Sequence, residues 1–249
     1  MEVIAEIWRR ATSVQPAPSS AVVALTALVA LVLVVQPAAW RVTRMLVTIT
    51  HEGGHAVAAL LSGRRLQGIR LHSDTSGLTV SSGRPTGAGM IVMLLAGYLG
   101  PAVVGLGAVV ALLAGRSLGL LWILTALLAV MLLQIRNFYG VLVVVGCAAA
   151  LVGVSWFLPA TTQSTLAYLI TWILLIAAPK PVVELIRQRR RGRGARSDAD
   201  QLAGLTRSPA WVWMGFFLVT NITGLLVGVA LLLPALVDLA RTMASSSAT

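Results

Sequence analysis

A histidine-glutamate cluster is the part of this chain whose residue types and spacing could do chemistry. Residues 51–55 read His-Glu-Gly-Gly-His, which fits the H-E-x-x-H pattern. In a helix, residues four apart lie on one face, so His51 and His55 can present two imidazoles to one Zn²⁺ ion. Glu52 projects beside them and can take a proton from a water that the metal activates, then return it to a leaving amine. The spacing therefore predicts one zinc ion, with Glu52 as the general base.

The composition indicates that a membrane protein positions this cluster. Of the 249 residues, 57% are hydrophobic and 11% are charged, and the mean hydropathy is +0.89. An ordinary soluble domain is about one-quarter charged, so this chain has too few charges to cover a soluble surface. The same apolar composition excludes a disordered chain. A disulfide scaffold is excluded because the chain has a single cysteine, Cys147, which lies in an apolar run. Ionisable side chains inside a membrane are costly and mark function, which strengthens the zinc prediction.

The apolar runs predict the fold class. We expect an all-α polytopic membrane protein whose residues 1–249 form a single domain, because each crossing needs about 20 helical residues. Asn221 and Thr223 in the last span are expected to form hydrogen bonds between helices. The seven predicted spans are residues 20–39, 44–61, 88–114, 118–133, 141–158, 166–178 and 209–233. The segments outside them are an N-terminal segment 1–19, a β-hairpin 63–87, a basic loop 180–207 and a C-terminal tail 234–249.

The placement of the arginines predicts an orientation. Cytoplasmic segments carry an excess of Lys and Arg, which favours a cytoplasmic N-terminus, hairpin and basic loop, with Arg41 and Arg44 in an outer loop and the C-terminus outside. The net charge of +11 is concentrated at span ends and in residues 187–196. This cluster predicts a solvated cytoplasmic loop, with binding to anionic lipid headgroups as the alternative, and no nucleic-acid partner is expected. Lys180 is the only lysine, a bias that suggests a bacterial genome and hence the bacterial cell membrane.

The polar stretch after the second span has the pattern of a hairpin. Apolar and polar residues alternate in 69–72 and again in 78–81, and residues 73–77 between them are rich in turn formers. Alternation with period two is typical of strands. We therefore expect a membrane-associated β-hairpin immediately after the H-E-x-x-H helix.

These features together resemble the site-2 proteases, intramembrane zinc metalloproteases, and in particular a short bacterial peptidase-like branch. Members carry H-E-x-x-H on a membrane helix, then a hairpin, and Gly100-Pro101 in the next span also fits. The resemblance implies an endopeptidase that cuts a transmembrane protein substrate near the cytoplasmic side. The hairpin would hold the substrate as an added strand, with Ile69, Leu71, Gly100 and Pro101 as substrate-binding residues. A helix kink or close helix packing is the other explanation of Gly100-Pro101.

The third zinc ligand departs from the family pattern. The family uses an Asp in a later helix, and here Tyr139 stands where that Asp is expected. Asp198 is the favoured replacement, because Ser197–Leu202 and the residues after it resemble a segment of this branch. Its other explanation is a helix-capping role, in which Ser197 caps a short helix and Asp198 lies in the first turn. The remaining candidates are Asp200, Asn137, His72 and Asp74, with Glu184 in the basic segment and Asp238 on the predicted far side.

The missing Asp leaves a rival hypothesis open. The chain could be a catalytically degenerate scaffold or a transporter-like protein on the same fold. A catalytic zinc site needs three protein ligands and one open position. The position of the third ligand therefore separates the two hypotheses.

Overall fold

The computed structural model describes residues 2–192 and 197–234, and these residues form mainly helices with one β-hairpin. Apolar helices predominate because the backbone groups of a membrane segment must be satisfied within the segment itself. The helices are α1 (Glu2–Ala11), α2 (Ser20–Val35), α3 (Pro37–Leu61), α4 (Ala88–Leu113), α5 (Ser117–Leu132), α6 (Phe138–Phe157), α7 (Ala160–Ala177), α8 (Pro179–Arg190), α9 (Asp198–Thr206) and α10 (Ala210–Leu232). The strands are β1 (Arg65–Leu71) and β2 (Gly77–Ser82).

The predicted number of seven spans is not confirmed. Within the described residues, four helical segments are long and apolar enough to cross a membrane, namely α4, α6, α7 continued by α8, and α10. The pair α2 and α3 adds a fifth if it counts as one span, but the two helices meet at an angle of 102°. Helix α5 is apolar and shorter, with 16 residues.

The bend between α2 and α3 has a local cause. Gln36 has extended backbone angles and its side chain accepts a hydrogen bond from the amide of Ala39, so it ends α2 and caps α3. Pro37 occupies the first turn of α3, where its missing N–H costs nothing. Helix α3 therefore begins earlier than predicted. Arg41 and Arg44, expected in a loop, lie within it.

The two ends of α6 define two faces of the molecule. At its N-terminus, Asn137 is hydrogen-bonded to Leu71 of the hairpin. Near its C-terminus, the Arg10 guanidinium of α1 lies 4.8 Å from the ring centroid of Trp156. We call these ends the hairpin face and the α1 face. The 20 residues of α6 separate them by about 30 Å.

This separation contradicts the prediction that the N-terminal segment and the hairpin share one side. Helix α2 begins beside the start of α7, where Ser19 and Ala160 line one cavity, and Val34 near its end packs on Ala177 near the end of α7. Helices α2 and α3 together therefore carry the chain from the α1 face to the hairpin face. Helix α3 ends at the hairpin, and a separate crossing by α3, which the sequence predicted, is not confirmed.

The predicted basic loop 180–207 is mostly helical. Residues up to Arg190 form α8, and α9 follows from Asp198. Ser197 caps α9 by accepting a hydrogen bond from the amide of Asp200, as the sequence predicted for a short helix here. The predicted C-terminal tail lies outside the described residues except for its first residue.

The predicted hairpin is present, and β1 pairs with β2 in antiparallel register. The outer edge of β1 is also occupied: the amide of Ile69 donates to the Gln134 carbonyl at 2.7 Å, and the amide of Arg136 donates to the Ile69 carbonyl at 2.9 Å. The side chains of Ile69 and Leu71 are buried in the main hydrophobic core. Neither side chain offers a surface to a substrate, in contrast to the prediction, because both help to anchor the sheet.

Candidate metal centre

The two histidines of the motif lie side by side on α3. They are one helical turn apart, and their Nε2 atoms are 3.1 Å from each other. The rings meet nearly edge to face, at 85°. His55 is buried, whereas His51 is partly exposed. The predicted face of two imidazoles is therefore formed.

A backbone contact fixes the orientation of His55. Its Nδ1 lies 2.7 Å from the carbonyl oxygen of Met93 on α4. A carbonyl only accepts, so Nδ1 carries the proton and the lone pair of Nε2 faces His51. Metal-binding histidines in proteins are held in this way by a second hydrogen bond.

Asp198 completes a group of three. Its Oδ2 lies 3.4 Å from Nε2 of His51 and 3.3 Å from Nε2 of His55. These ligand atoms all lie within 4.8 Å of one another. Donor atoms around a tetrahedral Zn²⁺, with bonds of about 2.0–2.2 Å, are roughly 3.3 Å apart. Two imidazole nitrogens and one carboxylate oxygen at this spacing fit a zinc ion and leave a fourth position open.

Asp198 is the first residue of α9, and the start of this helix places its carboxylate beside the two histidines. Asp200 occupies the third position of α9 and accepts from the amide and the hydroxyl of Ser197, at 3.0 and 2.7 Å. Arg189 of α8 donates to the same carboxylate. Burial raises the pKa of Asp200, but the hydrogen bonds from Ser197 and Arg189 outweigh it and keep the pKa below its usual value. Ser197 thus caps α9 and Asp198 lies in its first turn, as the alternative explanation of the sequence held, and the Asp198 carboxylate also faces the imidazoles.

The other candidates for a third ligand lie elsewhere. Asp200 is engaged by Ser197 and Arg189, as described. Asn137 bonds both backbone groups of Leu71, accepting from the amide at 3.2 Å and donating to the carbonyl at 2.7 Å. His72 and Asp74 are exposed in the turn of the hairpin, where both contact Ser76. None of the four belongs to the group around His51.

Glycines on two helices make room for the centre. A Cβ on Gly97 of α4 would clash with Nε2 and Cε1 of His55 and would lie 2.8 Å from Cε1 of His51. A Cβ on Gly100 would lie 2.6 Å from the carbonyl of Thr50, and one on Gly54 would clash with the carbonyl of Ala96. The backbones of α3 and α4 therefore approach closely, as small residues permit between membrane helices.

This packing corrects the prediction for Gly100 and Pro101. Both are buried inside α4. They serve the close approach of α4 to α3, which was the alternative explanation of the Gly-Pro pair. They do not line the cavity beside the centre.

Glu52 is buried and held by the hairpin. The Thr79 hydroxyl lies 2.6 Å from Oε2 of Glu52 and 3.2 Å from its backbone carbonyl. Gly77 packs against the same side chain, and a Cβ there would lie 2.5 Å from Oε1. The hairpin thus covers Glu52 and orients its carboxylate, a contact that the sequence does not indicate.

A cavity of about 170 Å³ opens beside His51 and Glu52. Its walls come from α3, the turn of the hairpin, α4 and α8. The lining residues are Arg44, Val47, Thr48, His51, Glu52, Thr75, Ser76, Gly77, Tyr98 and Pro181. A substrate that enters this cavity meets the imidazole of His51 and the carboxylate of Glu52.

Tyr98 is a cavity residue that the sequence reasoning missed. Its ring meets His51 edge to face, with centroids 4.9 Å apart, and stacks on Phe217 of α10. Asn221, also on α10, donates to the carbonyl of Tyr98 at 3.1 Å and to that of Ala178 at 3.3 Å. The hydrogen bonds between helices expected of Asn221 are present, whereas Thr223 is exposed. The sequence signal for Tyr98 is its position next to Gly97. This signal indicates a cavity residue only once Gly97 is known to face the histidines.

The comparison with known proteins agrees with this geometry. A family model described as Peptidase M50B-like matches residues 24–228. No curated protein and no solved structure matches the chain. The matched range contains α3, the hairpin and α9, and its apolar helices are those of an integral membrane protein. The chain therefore belongs to the Peptidase M50B-like family of membrane proteases, the site-2 protease family that its sequence resembles.

Proposed function

We propose that the protein is a zinc-dependent intramembrane endopeptidase that cleaves a transmembrane protein substrate beside the hairpin face. The observation that carries the proposal is the convergence of Asp198 on His51 and His55, next to the buried carboxylate of Glu52. An H-E-x-x-H sequence that occurs by chance does not explain why a carboxylate from a distant helix lies beside both histidines. Desolvating that carboxylate is costly unless a cation or hydrogen-bond donors compensate it.

Different side chains would bind the metal and transfer the proton. His51, His55 and Asp198 would hold the zinc ion, which supplies Lewis acidity when bound. Glu52 accepts a proton from the attacking water and returns it to the leaving amine nitrogen. Thr79 and Gly77 keep the Glu52 carboxylate in place and cover it from lipid.

The hairpin supports binding of an unwound substrate. A helical substrate must unwind before its peptide bond is accessible, and its freed backbone groups then need partners. The outer edge of β1 is already bonded to residues 134–136, so β2 offers the available edge; no strand pairs with that edge within residues 2–192 and 197–234. Strand addition at β2 would satisfy the substrate backbone next to Glu52.

The distribution of arginines supports a cytoplasmic hairpin face. Positive charge accumulates on the cytoplasmic side of membrane proteins. The α1 face carries Arg9, Arg10 and Arg116. The hairpin face carries Arg64, Arg65, Arg70, Arg84, Arg136, Arg187, Arg189, Arg190, Arg191 and Arg207. This orientation puts the cut near the cytoplasm, as expected from the sequence, but it places the N-terminus outside.

The rival hypothesis of a degenerate scaffold or transporter-like protein loses its main support. It rested on the absence of an acidic residue in a later span. The structure supplies a carboxylate from α9, which is not a spanning helix.

Replacement of Glu52 by Gln tests the proposal. We expect Glu52→Gln to abolish cleavage of a transmembrane peptide that the wild-type protein cleaves in lipid vesicles, while zinc content stays unchanged. The amide cannot accept the proton, and all three ligand side chains remain. Glu6→Gln on α1, far from the site, is the matched control and should retain cleavage. Full cleavage by Glu52→Gln would disprove the assignment of the base.

A further inference from the structure

Arg44 gives the cavity a cationic side chain. It lies seven residues before His51 on α3, two helical turns away on the same face. Of the residues that line the cavity, all of them within the described part of the chain, Arg44 alone is a Lys or Arg. The hydroxyls of Thr48 and Ser76 lie in the same lining, so this side of the cavity is polar.

The charge of Arg44 is only partly compensated. Its Nη2 lies 3.5 Å from Oε2 of Glu184, and 36% of its side chain is exposed. Glu184 is shared between Arg44 and Trp40, because its Oε1 accepts a hydrogen bond from Nε1 of Trp40 at 2.7 Å. Within residues 2–192 and 197–234, the Arg44 guanidinium donates no hydrogen bond and has only the 3.5 Å contact with Glu184. A guanidinium has five N–H donors, so Arg44 keeps donors free for a ligand.

We propose that Arg44 forms a substrate subsite that binds a carboxylate close to the scissile bond. The inference rests on the proposed peptidase function. Glu52 is eight residues after Arg44, about 12 Å along the helix axis, and an extended peptide rises about 3.3 Å per residue. A carboxylate three or four residues from the bond at Glu52 therefore reaches Arg44. A guanidinium binds a planar carboxylate through two parallel hydrogen bonds.

The subsite gives the enzyme a rule for selecting substrates. Most residues of a transmembrane segment are apolar and resemble one another, so they offer little basis for discrimination. An Asp or Glu side chain near the membrane boundary, or the free carboxyl end of a short peptide, is a distinct group. A basic side chain at the same position meets the like charge of Arg44 and is disfavoured.

Binding to the Glu52→Gln protein tests the subsite without relying on cleavage. The probes are fluorescent 20-residue Leu/Ala peptides in lipid nanodiscs, with a blocked N-terminus and an amidated C-terminus. Each peptide carries one Asp or one Asn, and the position of this residue is moved along the peptide. A further pair without Asp ends in a free carboxylate or an amide. We expect Asp to bind about 5-fold more tightly than Asn at one or two adjacent positions. Preference in the second pair alone would identify a terminal carboxylate as the ligand, which also supports the subsite.

Substitutions on α3 and α8 assign the preference to Arg44. Arg44→Gln should remove it, Arg44→Lys should keep part of it, and Glu184→Gln should increase it because the competing carboxylate is gone. Arg41→Gln is the matched control, since Arg41 is exposed on the same helix and does not line the cavity. Arg44→Gln combined with Glu184→Gln removes both partners of the ion pair and should also lose the preference while binding zinc normally.

Two results would overturn the subsite: equal binding of every matched pair when Arg44 is present, or a preference that survives Arg44→Gln or the double variant. Failure of the proposed function has a different signature. In that case the carboxylate preference persists, but the protein with Glu52 intact leaves all bound peptides uncleaved.

Discussion

The hydroxyl of Thr79 lies 2.6 Å from Oε2 of Glu52, so the hairpin holds the candidate base directly. A second contact ties the two elements together one turn earlier on α3, where the Thr48 hydroxyl donates to the carbonyl of Thr75 at 2.7 Å. The hairpin is therefore fixed to α3 at two points that are one helical turn apart. Any strand added to β2 is registered against Glu52 by the same contacts.

Loss of the Thr79 hydroxyl should slow cleavage without loss of metal. Thr79→Val keeps the shape and removes the donor, so the Glu52 carboxylate is free to rotate away from the attacking water. We expect cleavage of the vesicle substrate to fall about 10-fold, a part of the roughly 10²–10⁴-fold that general acid-base catalysis contributes, because Glu52 itself remains. Thr79→Ser keeps the hydroxyl and should retain most activity. Equal rates for the Val and Ser variants would show that the hydrogen bond has no catalytic role.

A methyl group at Gly97 should disrupt the metal centre. In Gly97→Ala the Cβ meets both imidazoles, so the histidines must shift from their present positions. We expect zinc affinity, measured by chelator competition, to fall by about 10-fold or more. Gly107→Ala is the control on the same helix, because a Cβ there meets nothing within 4 Å. Unchanged zinc affinity in Gly97→Ala would contradict the described geometry.

Single cysteines on the two faces should be labelled from opposite sides of the membrane. The parent is Cys147→Ala, which removes the only cysteine. A cysteine at Ser73 in the hairpin should react with an impermeant reagent only after the cytoplasmic side is opened. A cysteine at Ser13, after α1, should react in intact cells. Labelling of both from the same side would restore the arrangement predicted from the sequence.

The parts predicted from the sequence are those with local signals. His51, Glu52 and His55 follow from a fixed spacing on one helix. The hairpin follows from alternation with period two. Asp198 was favoured among several candidates, and the capping box of Ser197 and Asp200 explains how a short helix presents it. Each of these depends on a few neighbouring residues.

The parts that were missed depend on contacts between distant segments. The sequence predicted a separate span within α3, but α3 is long and apolar enough to cross only when it is counted together with α2. The burial of Ile69 and Leu71 depends on the pairing of β1 with residues 134–136, which no alternation pattern indicates. The role of Gly97 becomes visible only when α4 is placed against α3.

Zinc content of the purified protein tests the central claim most directly. Elemental analysis after purification in metal-free buffer should give about one zinc per chain, because three ligands converge on one point. Asp198→Ala and His51→Ala should each lose most of the metal, whereas Asp200→Ala should lose less, since Asp200 only positions α9. Full zinc occupancy in Asp198→Ala, or a wild-type protein that binds no zinc, would contradict the assignment of His51, His55 and Asp198 as the metal centre.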